Sequence, residues 1–451
     1  MYAQYSKKED KEKPEYYRPV SILPVISKVF ERSATDQLIT YLEQHNLLAT
    51  TQHAYRRLHS TVTCLADLVD EIRRRRDRNE TVGVIGMDLS KAFDSINHNI
   101  LQQKLIEIGI GPNVIKWMKS YLTNRQQHVK FKNIESDKEM VTSGVPQGSI
   151  LGPVLFIIFT NNLTEYLHNY QISSYADDTQ ILISASSPKE MKQKIEEVMN
   201  IAQKWYTKHS LLNNLSKTEI MIVTSKKNQK KYKGIKYSIL ENGETNCIKG
   251  TENMKILGVW IDEDLTWNKQ ISTMKGKAFN NARNLCRVNQ QLPMKTKIQL
   301  YNSYVASQLG YADIIWGGCS EENKKKLQKV QNFSLRSMTG KTSSKEARSS
   351  LQFLTLEEKR NIHYGVYGYK LTNGLAPMNQ TVEFNKHKAS SGRLKEQNKM
   401  KPPIHRSQKF KASTIYRTIT SWNEISADIK NSKTMLEFKT KLQNSFCNTV
   451  P

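Results

Sequence analysis

Residues 172–185 have the composition of two β-strands, yet two adjacent aspartates, Asp177 and Asp178, interrupt them. A second apolar stretch, 81–89, carries Val82, Val84, Ile85 and Met87 and reaches Asp88 at its end. Carboxylates at the ends of buried strands are costly unless they are paired or bound to a metal. Two neighbouring aspartates with no basic residue nearby also repel one another and raise each other's pKa. A divalent cation relieves both problems, and ligands that offer only oxygen select hard ions such as Mg²⁺. An Asp-Asp pair alone is most often a turn or a cap, so its meaning depends on what surrounds it.

Charge narrows the partners. The chain has 451 residues with 68 Lys+Arg against 42 Asp+Glu, a net charge of +26. Such an excess implies a polyanionic partner, with nucleic acid first among candidates. The sequence has no run of 18 apolar residues, so no spanning helix and no membrane role are expected. The five cysteines are scattered, with no two at zinc-ligand spacing.

The remaining pattern is mixed. Residues 1–15 are charged and are expected to fray. A helix is expected with Val25, Val29 and Phe30 on its apolar face, continuing through Leu38, Tyr41 and Leu42. Another covers 61–75 and runs into Arg73-Arg74-Arg75-Arg76, which reads as a solvated helix end or, alternatively, a nucleic-acid contact. Residues 188–208 form a helix with Ile195, Val198, Met199, Ala202 and Trp205 inward. The lysine-rich 226–233 reads as a surface loop, 340–350 as a linker, and the basic 386–411 as a mobile segment.

Several segments occur around the acids in a fixed order. Asp88-Leu-Ser-Lys-Ala-Phe93-Asp94 places an aromatic five residues after the first aspartate. Ser143-Gly-Val-Pro-Gln147-Gly148 supplies glycines where backbone must approach a ligand. Tyr175-Ala176-Asp177-Asp178, Asn214-Leu-Ser-Lys217 and Leu257-Gly258-Val259 follow. The series resembles the motifs of reverse transcriptases. Upstream, Tyr17-Arg18-Pro19-Val20-Ser21 and the run from Gln52 through Arg56 to Thr61 resemble finger segments of the non-long-terminal-repeat retrotransposon class. Downstream, Trp316-Gly317, the run from Leu327 to Asn332 and Trp422-Asn423 are similar to the tail of jockey-like elements.

That resemblance implies an α+β right-hand polymerase: fingers and an antiparallel-sheet palm over 16–267, a helical thumb over 268–340, and a C-terminal helical region over 341–451 suspected of binding nucleic acid. It implies RNA-directed DNA synthesis on two Mg²⁺ ions, with Mn²⁺ as a substitute. Asp88, Asp177 and Asp178 would be the catalytic metal-site acids. Lys217 would be a general acid toward the leaving pyrophosphate; otherwise it is a surface lysine. Arg56, Phe93, Gln147 and Gly148 would line the nucleotide pocket, Arg56 on the triphosphate and Phe93 as the gate against a ribose 2′-OH. Leu257 and Gly258 would grip the primer. Partners would be an RNA template, a DNA primer or nicked target DNA, and dNTPs, with nuclear and cytoplasmic work implied by analogy.

Leu58 stands where the family's finger segment has glycine. Complete elements also encode an endonuclease domain upstream, and nothing in this sequence corresponds to one, so a truncated copy is expected. The rival reading from a different class is a non-catalytic nucleic-acid-binding remnant. A group II intron maturase is a weaker alternative within the enzyme class, and the jockey-like tail argues against it.

Overall fold

A computed structural model describes residues 2–6, 17–131, 133–241, 244–288, 291–377 and 399–447. The chain is α+β and divides into two compact units. The first comprises Met1–Arg57, Gly83–Ile220 and Gly234–Gly250; the second comprises Leu58–Val82, Met221–Lys233 and Thr251–Pro451. This division follows spatial packing, so each unit is discontinuous in sequence.

The central sheet has four strands in the order Glu219–Val223, Thr81–Met87, Asp178–Ala185, Gln171–Tyr175. The division between units passes within its first two strands. Val82, Val84, Ile85, Ile181, Leu182 and Ile183 are buried, as continuous apolar strands require. The helix Pro188–Lys208 begins at a Ser187 cap with Pro188 in the first turn, where a missing N–H costs nothing. Its five predicted inward residues are all buried.

Other elements depart from the sequence reading. Tyr2–Ser6, expected to fray, forms a strand paired antiparallel with Tyr17–Ser21. The helix Val25–Gln44 does exist, but Val25, Val29 and Phe30 are exposed. Its buried residues are Leu38 and Leu42, as expected, together with Glu31 and Thr35, which were not. Periodicity alone did not anticipate this, because the Glu31 carboxylate has its own partner: it accepts the main-chain N–H of Ile150 at 2.6 Å. The lysine-rich stretch is a helix, Lys226–Tyr232, and Ser344–Leu351, which takes up most of the expected linker, is also helical. Lysine and alanine are good helix formers, so neither result conflicts with propensity.

In the second unit, the helix Thr61–Asp77 starts at a Ser60–Thr63 capping box. The arginine run at its end is neither solvated nor available to a ligand as a block. Arg73 is buried and donates to the carbonyls of Leu265 and Lys409, Arg74 and Arg75 pair with Glu71, and Arg76 donates to the Glu80 carbonyl. A separate apolar cluster joins the helices Leu356–Thr372, Thr414–Glu424 and Met435–Cys447 through Tyr369, Trp422, Phe438 and Leu442. A Cβ at Gly365 would come within 2.7 Å of Leu442, which is why the helices can approach so closely there. Of the segment expected to be mobile, 386–398 lies outside the described residues, while 399–411 is fastened by its main chain to Thr61–Asp77 and to Asn423.

Candidate active site

The first unit gathers the three carboxylates. Residues Asp178–Ala185 pair antiparallel with Gln171–Tyr175 in a register that sets Asp178 opposite Tyr175. This leaves a two-residue loop, Ala176-Asp177, with Ala176 at φ 56°. A left-handed alanine costs about 1–2 kcal/mol relative to glycine's freedom, so something must hold it. The buried Gln52 does so: its Oε1 accepts the N–H of Ala176 at 3.1 Å and that of Ala54 at 2.9 Å. Two further main-chain bonds join this segment to the hairpin, Ser174 N–H to Thr51 O and His53 N–H to Ser174 O.

Asp88 follows the strand Thr81–Met87 directly. Its carbonyl accepts the N–H of Asn214 at 2.8 Å, and its carboxylate takes both the Asn214 amide and the Lys217 ammonium. Lys217 is half-exposed and is therefore a cation placed on this acid from the solvent side of its own loop. Asp178 is pushed up to about 6, first by burial and then by the negative charges of Asp177 and Asp88, with Lys217 pulling the other way. Three carboxylates thus share one electrostatic site with a single lysine among the groups that offset them.

Among the described residues no closed cluster of three or more His, Cys, Asp or Glu side chains is preformed as an ion cage. The donor chemistry nevertheless fits a hard cation. The donors are carboxylate oxygens, a cation already sits on Asp88, and Asp178 carries negative charge that the protein leaves only partly compensated.

Phe93 packs on Phe156 with ring centroids 4.9 Å apart. Its carbonyl accepts the Val145 N–H, while Ser143 and Gly144 bond to Asp94 O and Ile96 O. Gln147 donates through Nε2 to both carboxylate oxygens of Asp94, at 2.8 and 2.9 Å. Gly144 has φ 84°, and a Cβ there would lie 2.7 Å from Asp94 backbone atoms, so glycine is required. Gly148 is also left-handed, at φ 105°. The segments bearing Phe93 and Gln147-Gly148 are therefore bound together as one ledge. A cavity of about 20 Å³, lined by Gln52, Leu89, Phe156, Asp177 and Tyr206 among others, has room for one water molecule.

The half-buried Arg56 donates through Nη1 to the carbonyls of Ala49 and Gln52, and its Nε is buried without a partner. Burial lowers its pKa, against the charge of Glu43. Next to it, Tyr55 is raised by burial and then by Asp177, which puts the finger segment within the field of the acids. Leu58, at the glycine position of the motif, takes φ 63° and so adopts the backbone that glycine would have supplied.

Leu257 and Gly258 lie in the second unit. They form a two-residue turn between Asn253–Ile256 and Val259–Asp262, at φ 46° and 85°. The Tyr311 hydroxyl donates to Leu257 O at 2.7 Å. The other eight predicted site residues belong to the first unit. Sequence reading missed Gln52 and Asp94 as parts of the site. Both stood inside the quoted motifs, but only the fold shows what their side chains hold.

Residues 6–261 match the family described as reverse transcriptase (RNA-dependent DNA polymerase). The chain is 27% identical over 334 residues to a probable RNA-directed DNA polymerase from transposon X-element of Drosophila melanogaster, covering 72% of this chain and 36% of that protein. It is 27% identical over 377 residues to that of transposon BS from the same fly, covering 80% and 40%, and 26% identical over 334 residues to the jockey RNA-directed DNA polymerase of Drosophila funebris, covering 72% and 36%. The chain thus spans between about a third and two-fifths of the length of these relatives. Among solved structures it is similar to apo telomerase from Candida tropicalis at 12% identity and a TM-score of 0.42, covering 80% of this chain and 63% of that one. With the family match covering more than half of its length, and its acids, glycine-bearing ledge and lysine arranged as described, the chain belongs to the reverse transcriptase family.

Proposed function

We propose that the protein is an RNA-directed DNA polymerase of a non-long-terminal-repeat retrotransposon, extending a primer on an RNA template. The observation that supports this most is the meeting of Asp88, just past the end of one strand, with Asp177 and Asp178 at the hairpin turn of its neighbour, and with Lys217 on Asp88. Asp88 and Asp177 would hold Mg²⁺, or Mn²⁺ in its place, with Asp178 beside them. When bound, the two ions would activate the primer 3′-OH and neutralise the triphosphate.

The chain's own residues supply the remaining functions. Lys217, which lies on Asp88, would act as the general acid that gives a proton to the departing pyrophosphate. The primer 3′-OH would lose its proton to water as its oxygen bonds the α-phosphorus and the α–β bridging P–O bond breaks. Phe93, braced by Phe156, closes the space a ribose 2′-OH would need. Gln147 and Gly148 present main chain to the incoming dNTP, and Arg56 faces its phosphates. Leu257-Gly258 contacts the primer end. The primer would be a DNA primer or nicked target DNA, and the protein would work in the nucleus and cytoplasm. Among the described residues no helix is long and apolar enough to cross a membrane.

The test is primer extension by the purified chain with an RNA template, a DNA primer, dNTPs and Mg²⁺, beside Asp177→Ala. Extension that requires Mg²⁺ and vanishes in the variant is expected. If wild type and variant both bind the duplex and neither extends it, the chain is a binding remnant.

A further inference from the structure

The second unit presents a basic segment that the polymerase reading leaves unused. Between Gln397 and Asn423 the sequence contains no aspartate or glutamate, and it carries Lys399, Lys401, Arg406, Lys409, Lys411 and Arg417. Lys401, Arg406 and Lys409 are exposed, and no ion pair joins them to an acid among the described residues.

The segment is nevertheless held along its length, by its main chain. Asn423 exchanges two hydrogen bonds with Met400, at 2.9 and 2.8 Å. Asp77 accepts the N–H groups of Arg406 and Ser407, both at 2.7 Å. Arg73 donates to Lys409 O, and Phe410 is buried. Just beyond, Asp70 accepts the N–H groups of Thr414 and Ile415 at 2.7 and 2.8 Å. These contacts use backbone atoms of the segment and leave the side chains of Lys401, Arg406 and Lys409 in solvent. Ordering a free chain costs roughly 1–2 kcal/mol per residue. Here that cost is met within the fold, so a ligand need not supply it.

We propose that residues 399–411 form a strap that grips a nucleic-acid backbone, with Lys401, Arg406 and Lys409 each meeting a phosphate. The proposal rests on the reverse transcriptase reading for the identity of the polyanion. RNA and DNA share the chemistry that would be recognised, so the experiment separates them.

Fluorescence anisotropy with the full chain in EDTA, between 50 and 200 mM salt, would use three probes: single-stranded RNA, single-stranded DNA and duplex DNA. Each phosphate contact contributes about 0.7 (single strand) to 0.9 (duplex) to the slope of log affinity against log salt. The triple variant Lys401→Gln, Arg406→Gln, Lys409→Gln should therefore flatten that slope by about 2–3 on the probe the strap binds. A charge-matched control, Lys192→Gln, Lys233→Gln, Lys326→Gln, removes lysines already within 4 Å of Glu196, Glu252 and Glu322 and should leave the slope nearly unchanged. Equal flattening by both triples, no change on any probe, or strap-dependent binding to anionic vesicles alone overturns the proposal. If primer extension persists while the strap variant binds like wild type, only the strap fails. If wild type neither extends nor binds, the underlying reading fails with it.

Discussion

Replacing Gln52 by leucine tests the architecture of the site most sharply. The side chain is 6% exposed, and its single oxygen serves two main-chain donors, Ala54 and Ala176. Leucine has similar volume and no acceptor, so packing changes little while two buried N–H groups lose their partner. An unmade buried hydrogen bond costs about 1–3 kcal/mol, giving roughly 2–6 kcal/mol for the pair. The Ala176-Asp177 loop can recover part of this by rotating toward solvent, which moves Asp177 and transfers the cost from folding to chemistry. Each 1.4 kcal/mol so transferred is about tenfold in rate. Single-turnover extension by Gln52→Leu should therefore fall at least tenfold, with primer–template affinity within about twofold of wild type. Gln52→Glu retains an acceptor oxygen and should keep more activity than the leucine variant. A leucine variant that extends at the wild-type rate, or a folded glutamate variant no better than leucine, would refute the reasoning.

Gly144→Ala places a Cβ 2.7 Å from Asp94 backbone at a left-handed φ, so a loss of about 2–4 kcal/mol is expected in urea unfolding, together with slower extension. Phe93→Val opens the space beside Phe156, and competition between dNTPs and rNTPs should show discrimination reduced by about tenfold or more, with dNTP use retained. Asp70 is pushed up to about 6 by burial, against the hydrogen bonds from Ile415 and Thr414. With the folded pKa above the unfolded value, its contribution is fully present below about 4 and is lost as pH rises through about 6, a change on the order of 3 kcal/mol. Urea midpoints of wild type should decline relative to those of Asp70→Asn across that window, and parallel curves would contradict the assignment.

How much could be read in advance depended on how local each feature was. Asp88, Asp177-Asp178 and Lys217 were legible because the chemistry lies in short runs flanked by strand-forming residues. The ledge formed by Phe93 and Gln147-Gly148 was legible as two motifs, but not its joint, because the bond from Gln147 to Asp94 spans 53 positions. Periodicity found the helix Val25–Gln44 and its buried Leu38 and Leu42, but wrongly buried Val25, Val29 and Phe30 at its start, since a 3.6-residue repeat shows that a helix has an apolar side, not that the side is covered along its whole length. The four arginines ending at Arg76 were misread for a related reason. Charge runs are normally solvated, and the carbonyls that take up Arg73 lie 192 and 336 positions away.

Asp70, Arg73 and Asp77 lie at positions i, i+3 and i+7 of one helix, and all three bind main chain between 265 and 415. The ribosome therefore completes this helix 192 to 345 residues before the main-chain groups that satisfy its polar face exist. Until then two acids and an arginine must stay hydrated, so the helix cannot pack finally. The C-terminal segment would therefore serve as the last piece that permits the second unit to close. A product of premature termination before residue 400 would not be a smaller polymerase but a chain in which Asp70 and Asp77 lack the main-chain N–H groups that hold them, a substrate for proteolysis rather than a competitor for template.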